Sequence, residues 1–303
     1  MTNLLDVFLT INLDSTSQEP ELVLNPWQIK EDDFPFDGTT TDKFKFLLNY
    51  AVLAPSINNS QPGLFKIVDD AVELYADTTR ALPVADSDYR ELIISCGAAL
   101  FYLRLAIRYF GYGDLVEIFP ERNNHSLLAR IRLGSRRITQ LEEKFLFRAI
   151  PRLDTNPLSF KNCQIPKSLK SELELAADAE CINLHITAQI IPQAICPEVI
   201  NLIDLGDRLQ TTDPSFGKLA IPAPVLMLIS SKGDRPYSWL ATGEALAHLL
   251  LRARVDGIGA SFLNQPIQVP HLRSCLKALL AENGYPQILL RLGYARDTKP
   301  TAR

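Results

Sequence analysis

One long segment restricts the fold of this 303-residue chain more than any other part of its sequence. Residues 89–110 follow a helical pattern, and the middle of the segment, 93–101, is apolar or small on nearly every side. A helix of this kind is buried in the centre of a domain, because it has no polar face to turn towards water. Gly97 and the two alanines after it leave room for a neighbour to approach closely. We therefore expect the chain to fold around this helix.

The remaining predicted elements follow a similar order in the two parts of the chain. Each part has a loop-bounded helix, then strands, then a long helix containing glycine and alanine, then further strands. The second long helix is predicted at 239–255. We expect an α+β fold with antiparallel or mixed sheets flanked by helices, in which two similar halves are fused into an intrachain pseudo-dimer. The predicted divisions are an N-terminal extension at 1–40, a first half at 41–138 and a second half at 139–303.

The shorter elements are predicted from hydrophobic periodicity and from the turn-forming residues between the periodic segments. Further helices are expected at 42–53, 139–150, 166–179, 192–209 and 270–281. Strands are expected at 64–68, 71–75, 115–119, 127–133, 182–187, 223–231, 257–263 and 288–292.

Composition and charge argue against several classes of protein. Hydrophobic residues make up 47% of the chain and charged residues 22%, as in a globular protein with a core. The net charge of −4 gives no reason to expect nucleic acid or an anionic membrane as a partner. No window approaches 18 uninterrupted apolar residues, so no membrane span is expected, and the N-terminal residues lack the basic and apolar regions of a signal peptide. Five widely spaced cysteines and four scattered histidines predict a cytoplasmic protein with reduced thiols and no metal site. Cys96, inside the apolar helix, is interpreted as a small buried hydrophobic residue rather than a nucleophile.

The segment 54–62 is the candidate for binding a ligand. It lies between a predicted helix and a predicted strand, and Pro55 and Pro62 restrict the backbone near its two ends. The residues between them are mostly hydroxyls and amides, which form hydrogen bonds without carrying charge. Such a loop suits a flat, neutral ligand with polar edges. The local residues by themselves favour an ordinary turn after a helix.

Several segments carry a resemblance to a known family. Residues 54–62 resemble the Pro-Ser-x-x-Asn-x-Gln-Pro-Trp signature of the nitroreductase superfamily. Residues 86–100 are similar to the long helix of its Acg-type subfamily, in which two nitroreductase-like halves are fused in one chain. Segments 149–156, 243–246, 257–266 and 286–294 resemble the second half in the expected order. Each motif is weak by itself, but the ordered set covers the chain from about residue 44 to its end.

This resemblance implies a nitroreductase-like fold that holds one FMN between the two halves. Pro55 and Ser56 would contact the flavin ring and Asn59 its edge, while the turn at 263–265 would direct a backbone N–H to N5. Redox chemistry would belong to the flavin, without a catalytic side chain and without a metal. The implied cofactor-binding residues are Pro55, Ser56, Asn59, Gln61, Arg152, Thr155, Asn156, Leu263, Asn264, Gln265 and Arg303. Among them Arg152 and Arg303 match arginine positions that bind the phosphate, and Thr155 matches a hydroxyl position.

The same residues have ordinary structural interpretations. Asn59 and Asn264 are of a type that caps turns, and Arg152 and Arg303 would be solvated surface charges in a chain without these motifs.

Three positions differ from the family pattern. Gly63 stands where the signature has Trp, and Leu153 and Pro157 stand where arginine is usual. The phosphate side is therefore expected to have fewer cations than in the family.

The implied activity is that of an FMN-dependent oxidoreductase. Electrons would pass from NADH or NADPH through the flavin to a small flat acceptor such as a nitroaromatic compound or a quinone. Two other functions remain open: a protein that binds and sequesters FMN with little or no turnover, and a fold that has lost the flavin and acts as an interaction scaffold. The expected partners are NAD(P)H and the acceptor, without nucleic acid or membrane, and further dimerisation of the fused unit is left open.

Overall fold

The computed structural model describes residues 26, 28–81, 86–153, 160–161, 163–179, 186–210, 225–281 and 283–294. The helices in these ranges are α1 (Thr40–Ala51), α2 (Arg90–Tyr109), α3 (Leu141–Ala149), α4 (Lys167–Ala179), α5 (Cys196–Gln210), α6 (Pro236–Val255), α7 (Gln265–Gln268) and α8 (Pro270–Leu279). The strands are β1 (Gly63–Val68), β2 (Ala71–Ala76), β3 (Tyr112–Ile118), β4 (Leu127–Arg136), β5 (Ile186–Ile190), β6 (Val225–Ser231), β7 (Ile258–Phe262) and β8 (Tyr285–Tyr294).

Two four-stranded sheets have equivalent strand orders. The first runs β1-β2-β4-β3 and the second runs β5-β6-β8-β7. All pairings in both sheets are antiparallel. The predicted α+β class is confirmed, and the sheets are antiparallel rather than mixed. The repeated order agrees with two similar halves, while the boundaries 41–138 and 139–303 stay a prediction.

The two long helices, α2 and α6, are in backbone contact at a pair of glycines. A Cβ added to Gly97 would lie 2.0 Å from the carbonyl oxygen of Leu240, and one added to Gly243 would lie 1.9 Å from that of Ile94. No side chain fits at either position, so the close approach expected at Gly97 is confirmed. By length and composition α2 could cross a membrane, yet 83% of its apolar window is buried inside the protein. It is the central core helix that the sequence predicts.

One hydrophobic cluster includes residues of both sheets and of both long helices. It extends along the sequence from Phe34 to Leu292 and includes fully buried side chains such as Tyr102 on α2 and Leu250 on α6. A charged pair crosses the helix contact as well, because Arg104 on α2 binds Glu244 on α6. The parts of the chain before and after residue 138 therefore share one core.

Most predicted elements are confirmed, and the differences have local causes. β3 begins at Tyr112 rather than at residue 115, because the turn at Gly111, with a φ of 83°, lets Tyr112 pair with Arg136 on β4. The helix predicted at 192–209 begins at Cys196, after a turn. α7 was not predicted, since four residues are too few to show periodicity. The strand predicted at 182–187 is described only from Ile186, where β5 begins.

Candidate functional site

The loop between α1 and β1 has a strained backbone. Asn58, Asn59 and Gln61 have φ angles of 54°, 54° and 46°, in the left-handed region that residues other than glycine rarely adopt. Within the loop the Ser56 hydroxyl oxygen accepts a hydrogen bond from the backbone N–H of Gln61 at 3.0 Å. Three such residues so close together cost conformational energy, so the surrounding structure must hold the loop in this shape.

Contacts from outside the loop provide that support. The backbone N–H of Ile57 donates to the Ser95 hydroxyl on α2 at 3.1 Å, and the Arg80 guanidinium donates to the Gln61 carbonyl at 3.1 Å. The N–H of Asp77 donates to the Pro62 carbonyl at 2.8 Å. The loop is thereby fixed against the second turn of α2, while the side chains of Asn58 and Asn59 remain exposed.

The turn after β7 is held by the side chain of Asn264, which is 4% exposed. Its Oδ1 accepts the N–H of Leu289 at 3.0 Å, and its Nδ2 donates to Glu91 Oε1 at 2.9 Å. The side chain of Asn264 therefore fixes the shape of the turn and joins it to α2. Within the described part of the chain, no group accepts a hydrogen bond from the backbone N–H of Asn264 or Gln265.

The loop and the turn meet at the start of α2. Glu91 Oε1 accepts a hydrogen bond from the Asn264 amide, and Glu91 Oε2 accepts one from the Gln268 amide at 2.7 Å. Burial raises the pKa of the Glu91 carboxyl, while the adjacent Arg90 guanidinium and the two amide donors favour its charged form. Asp86 accepts the N–H groups of Glu91 and Leu92, both at 2.8 Å, and thereby caps the helix.

The crevice between the loop and α2 is small. Its walls include Asn58, Ser60, Arg80, Asp86 and Glu91, and its volume of about 10 Å³ gives room for one water molecule. A flat organic ligand does not fit there, so such a ligand would have to lie on the exposed side of the loop.

The predicted phosphate side is only partly described. Arg152 is exposed in a turn after α3, and its Nε donates to the carbonyl of Arg148 at 3.0 Å. None of the hydrogen bonds found among the described residues joins Arg152 to the loop or to the turn. Thr155, Asn156, Pro157 and Arg303 lie outside the described residues.

The structure thus brings two of the three predicted segments together. Pro55, Ser56, Asn59 and Gln61 lie in the loop, and Leu263, Asn264 and Gln265 lie in or beside the turn. They converge on α2 through Ser95 and Glu91, two residues that the sequence analysis did not assign to the site.

Gly63 has a packing reason to lack a side chain. A Cβ there would lie 3.3 Å from Leu74 Cδ1 and 3.7 Å from the Cβ of Ala99 on α2. A tryptophan at this position would displace the contact between β1, β2 and α2, so the departure from the signature fits the local packing.

A larger groove lies elsewhere in the described part of the chain, between α3 and the end of α6. It has a volume of about 500 Å³, and its walls include Leu141, Phe145, Leu146, Arg252 and Val255. None of the predicted site residues lies in it, and its apolar walls offer little to the polar edge of a flat ligand.

Comparisons with known proteins give relatives of nearly the same length. The chain is 26% identical over 291 residues to the Mycobacterium tuberculosis protein named "Putative NAD(P)H nitroreductase Rv3131", covering 82% of this chain and 84% of the relative. It is 25% identical over 309 residues to "Putative NAD(P)H nitroreductase acg" of the same organism, covering 87% and 92%. No protein-family model matches the chain.

Solved structures match about half of the chain. One is a nitroreductase with bound FMN from Bacteroides fragilis, with a TM-score of 0.40 and 20% identity, covering 50% of this chain and 88% of that protein. Another is a nitroreductase with bound FMN from Desulfitobacterium hafniense, with a TM-score of 0.42 and 15% identity, covering 52% and 92%.

Proposed function

We propose that this chain, an Acg-like protein of the nitroreductase superfamily, binds FMN and transfers electrons from NADH or NADPH to a small flat acceptor such as a nitroaromatic compound or a quinone. One observation carries the proposal: the strained polar loop at 54–62 and the turn at 263–265 converge on the same end of α2. These segments come from opposite ends of the sequence, and each resembles a flavin-binding segment of the family. The nitroreductase names of the curated relatives support the same assignment.

The chemistry of the described residues fits the ring of FMN. The Ser56 hydroxyl and the exposed amide of Asn59 are neutral groups that can bind the polar edge of an isoalloxazine. The backbone N–H groups of Asn264 and Gln265 are donors that no described residue uses. A few convergent polar groups of this kind are typical of cofactor sites.

We propose that the remaining predicted residues bind the phosphate group of FMN. Arg152 is exposed and supplies a cation, and we propose that Thr155, Asn156 and Arg303 complete that side. Because Leu153 and Pro157 replace arginines of the family, we expect most of the affinity for FMN to come from the ring.

The protein's contribution is to bind and orient the two reactants. FMN, when bound, supplies two-electron redox chemistry at its N5 atom. The loop would hold one edge of the ring, and the Asn264 turn would place a backbone donor near N5. No described side chain is needed as a general acid or base, and exposure of the loop leaves one side open to the substrates.

The organisation of the site follows from the fold. We propose that the parts 41–138 and 139–303 form one integrated unit in the cytoplasm, with the extension 1–40 before it and the flavin between its halves. The loop belongs to the first part and the turn to the second, so each half alone would hold an incomplete site.

The visible spectrum of the purified protein tests the proposal. We expect flavin absorbance as purified or after incubation with FMN, and we expect anaerobic NADH or NADPH to bleach it. A nitroaromatic compound or a quinone should then restore the absorbance. A protein that stays colourless after incubation with FMN would overturn the proposal. A yellow protein that neither nucleotide bleaches would instead indicate FMN sequestration without turnover.

A further inference from the structure

The carboxylate of Glu91 is the point at which the two sides of the candidate site are joined. Its side chain is 3% exposed and receives donors from three residues: Arg90 at 3.2 Å, Asn264 at 2.9 Å and Gln268 at 2.7 Å. The amides of Asn264 and Gln268 lie at the two ends of the segment that contains α7. One side chain of the first half therefore holds both ends of this segment in the second half.

The loop depends on the same helical turn. The Ser95 hydroxyl donates to the backbone carbonyl of Glu91 at 2.9 Å and accepts the N–H of Ile57 from the loop at 3.1 Å. The loop is thus tied to the backbone of Glu91, and the Asn264 turn is tied to its side chain. A displacement of this residue would change the distance between the two segments.

A buried network extends from Glu91 into the second sheet. Arg90, 3% exposed, neutralises the carboxylate and donates to the Gln287 carbonyl on β8 at 2.7 Å. The Gln287 amide donates to Asp234 at 3.0 Å, and Arg273 on α8 binds both oxygens of Asp234 at 2.8 and 2.9 Å. Charges in this network are paired and hydrogen-bonded, so it is a rigid support rather than a mobile chain of side chains.

We propose that Glu91 is a positioning residue that sets the placement of the Asn264 turn relative to the loop at 54–62, and so the environment of the flavin ring. This inference rests on the proposed function, because it assigns a role in the FMN site. Glu91 acts through Asn264 and Ser95 and need not touch the cofactor itself.

The geometry gives a matched pair of variants. In Glu91→Gln an NH₂ group replaces one carboxylate oxygen, so a donor faces the donor of Asn264, Arg90 or Gln268. In the double variant E91Q/Q268E the carboxylate moves to position 268 and the amide to position 91, so donor and acceptor meet again. Glu73→Gln serves as the control, because Glu73 is a buried carboxylate bound by Arg130 in the first sheet, and among the described residues it forms no hydrogen bond with the loop or the turn.

Three measurements on the full chain test the proposal: FMN dissociation followed by flavin fluorescence, the position and shape of the visible flavin bands, and thermal unfolding without FMN. We expect E91Q to raise the dissociation constant for FMN at least tenfold and to alter the flavin bands. In E91Q/Q268E we expect the dissociation constant to return to within about threefold of the original value and the bands to return to their original position and shape. E73Q should lower thermal stability without altering the bands.

The outcomes separate this inference from the proposed function. If the original protein binds no FMN, the proposed function fails and this inference fails with it. If the original protein binds FMN and E91Q binds it equally well with the same spectrum, only the positioning role is overturned. If E91Q does not fold, Gln268→Leu, which removes a single donor at a half-buried position, should still weaken FMN binding and shift the bands. An unchanged spectrum in that variant would overturn the role of Glu91.

Discussion

At the scale of single residues, the contact between α2 and α6 depends on two glycines. We predict that Gly243→Ala destabilises the protein by about 3 kcal/mol, at the upper end of the cost of overpacking. The reason is that a Cβ at this position would lie 1.9 Å from the Ile94 carbonyl oxygen, so the two helices must separate. Urea unfolding followed by circular dichroism measures the change.

Gly113→Ala is the matched control for this prediction. A Cβ at Gly113 would lie 3.6 Å from the nearest atom, the Ser135 carbonyl oxygen, which is an ordinary contact. We expect Gly113→Ala to change the free energy of unfolding by no more than about 1 kcal/mol. Equal effects of the two substitutions would show that the helices can shift apart at little cost.

Residue by residue, sequence reasoning finds packing more readily than long-range polar contacts. Small residues inside an apolar helix predict a close approach, and Gly97 confirms it. Glu91 gives no comparable signal, because its donors Asn264 and Gln268 lie more than 170 positions away in the sequence. An asparagine at the end of a strand looks like a turn cap, and only the folded chain shows that its side chain is bonded across the two halves.

At the scale of elements, Asp114 fastens β3 to the last turns of α2. Its carboxylate accepts a hydrogen bond from Arg104 Nε at 2.6 Å. It accepts two more from Arg108, from Nε at 2.8 Å and from Nη2 at 2.9 Å. Burial alone would raise the pKa of Asp114, but hydrogen bonds and charge from these arginines hold the pKa below its ordinary value. The stabilisation is present above the unfolded pKa of about 3.9 and is lost as the pH falls towards the lowered value.

We predict that Asp114→Asn lowers the free energy of unfolding by about 2 kcal/mol at pH 7, because it removes charge-assisted hydrogen bonds. The difference from the original protein should shrink as the pH falls below the unfolded pKa of about 3.9, because the unfolded state binds the proton before the folded Asp114, whose pKa is lowered. Urea unfolding between pH 7 and pH 3 measures it. Asp70→Asn is the control, because the Asp70 side chain is 71% exposed. We expect this substitution to change the free energy of unfolding by about 0.5 kcal/mol or less. A difference for Asp114→Asn that does not depend on pH would contradict the electrostatic explanation.

Elements with strong periodicity could be predicted from the sequence, and short or irregular ones could not. The positions of α2 and α6 follow from long apolar patterns, and both helices extend within three residues of the prediction at each end. α7 has four residues, and its conformation depends on tertiary bonds to Glu91 rather than on a local pattern. The strained backbone of the loop at 54–62 is likewise imposed from outside, by Ser95 and Arg80.

At the scale of the whole molecule, the sequence predicts two similar halves but not how they meet. Pairs of consecutive strands, such as β1 with β2 and β3 with β4, can be derived from strand patterns. The pairings of β2 with β4 and of β6 with β8 join strands that are not consecutive, and local patterns do not give them. The contact of α2 with α6 and the bonds of Glu91 to the Asn264 turn join opposite halves, and no local pattern encodes their relative placement. The resemblance to a family of fused halves predicted that the loop at 54–62 and the Asn264 turn lie together. The residues assigned to the phosphate stay a prediction.

Because the halves share a core, we predict that neither folds as a stable monomer without the other. The proposed boundary at 138/139 lies between β4 and α3, where Ile138 is 90% exposed, so separating the chain there breaks no packed element. The fragment 1–138 would expose the face of α2 that contacts α6, and the fragment 139–303 would expose the matching face of α6. Burial of these apolar faces is a large share of what stabilises such a core.

Expressing 1–138 and 139–303 separately and together tests this prediction. Each fragment alone should lack near-ultraviolet circular dichroism and a cooperative unfolding transition, whereas co-expression should give a 1:1 complex by light scattering with the signals of the intact chain. Gly243→Ala placed in the second fragment provides an internal control, because it should weaken assembly through the glycine contact alone. If 1–138 unfolds cooperatively as a monomer, the first sheet has a core of its own. The proposal that the two parts form one integrated unit is then wrong. Assembly of the fragments that Gly243→Ala leaves unchanged would instead show that the Arg90–Glu91 network, rather than the helix contact, holds the halves together.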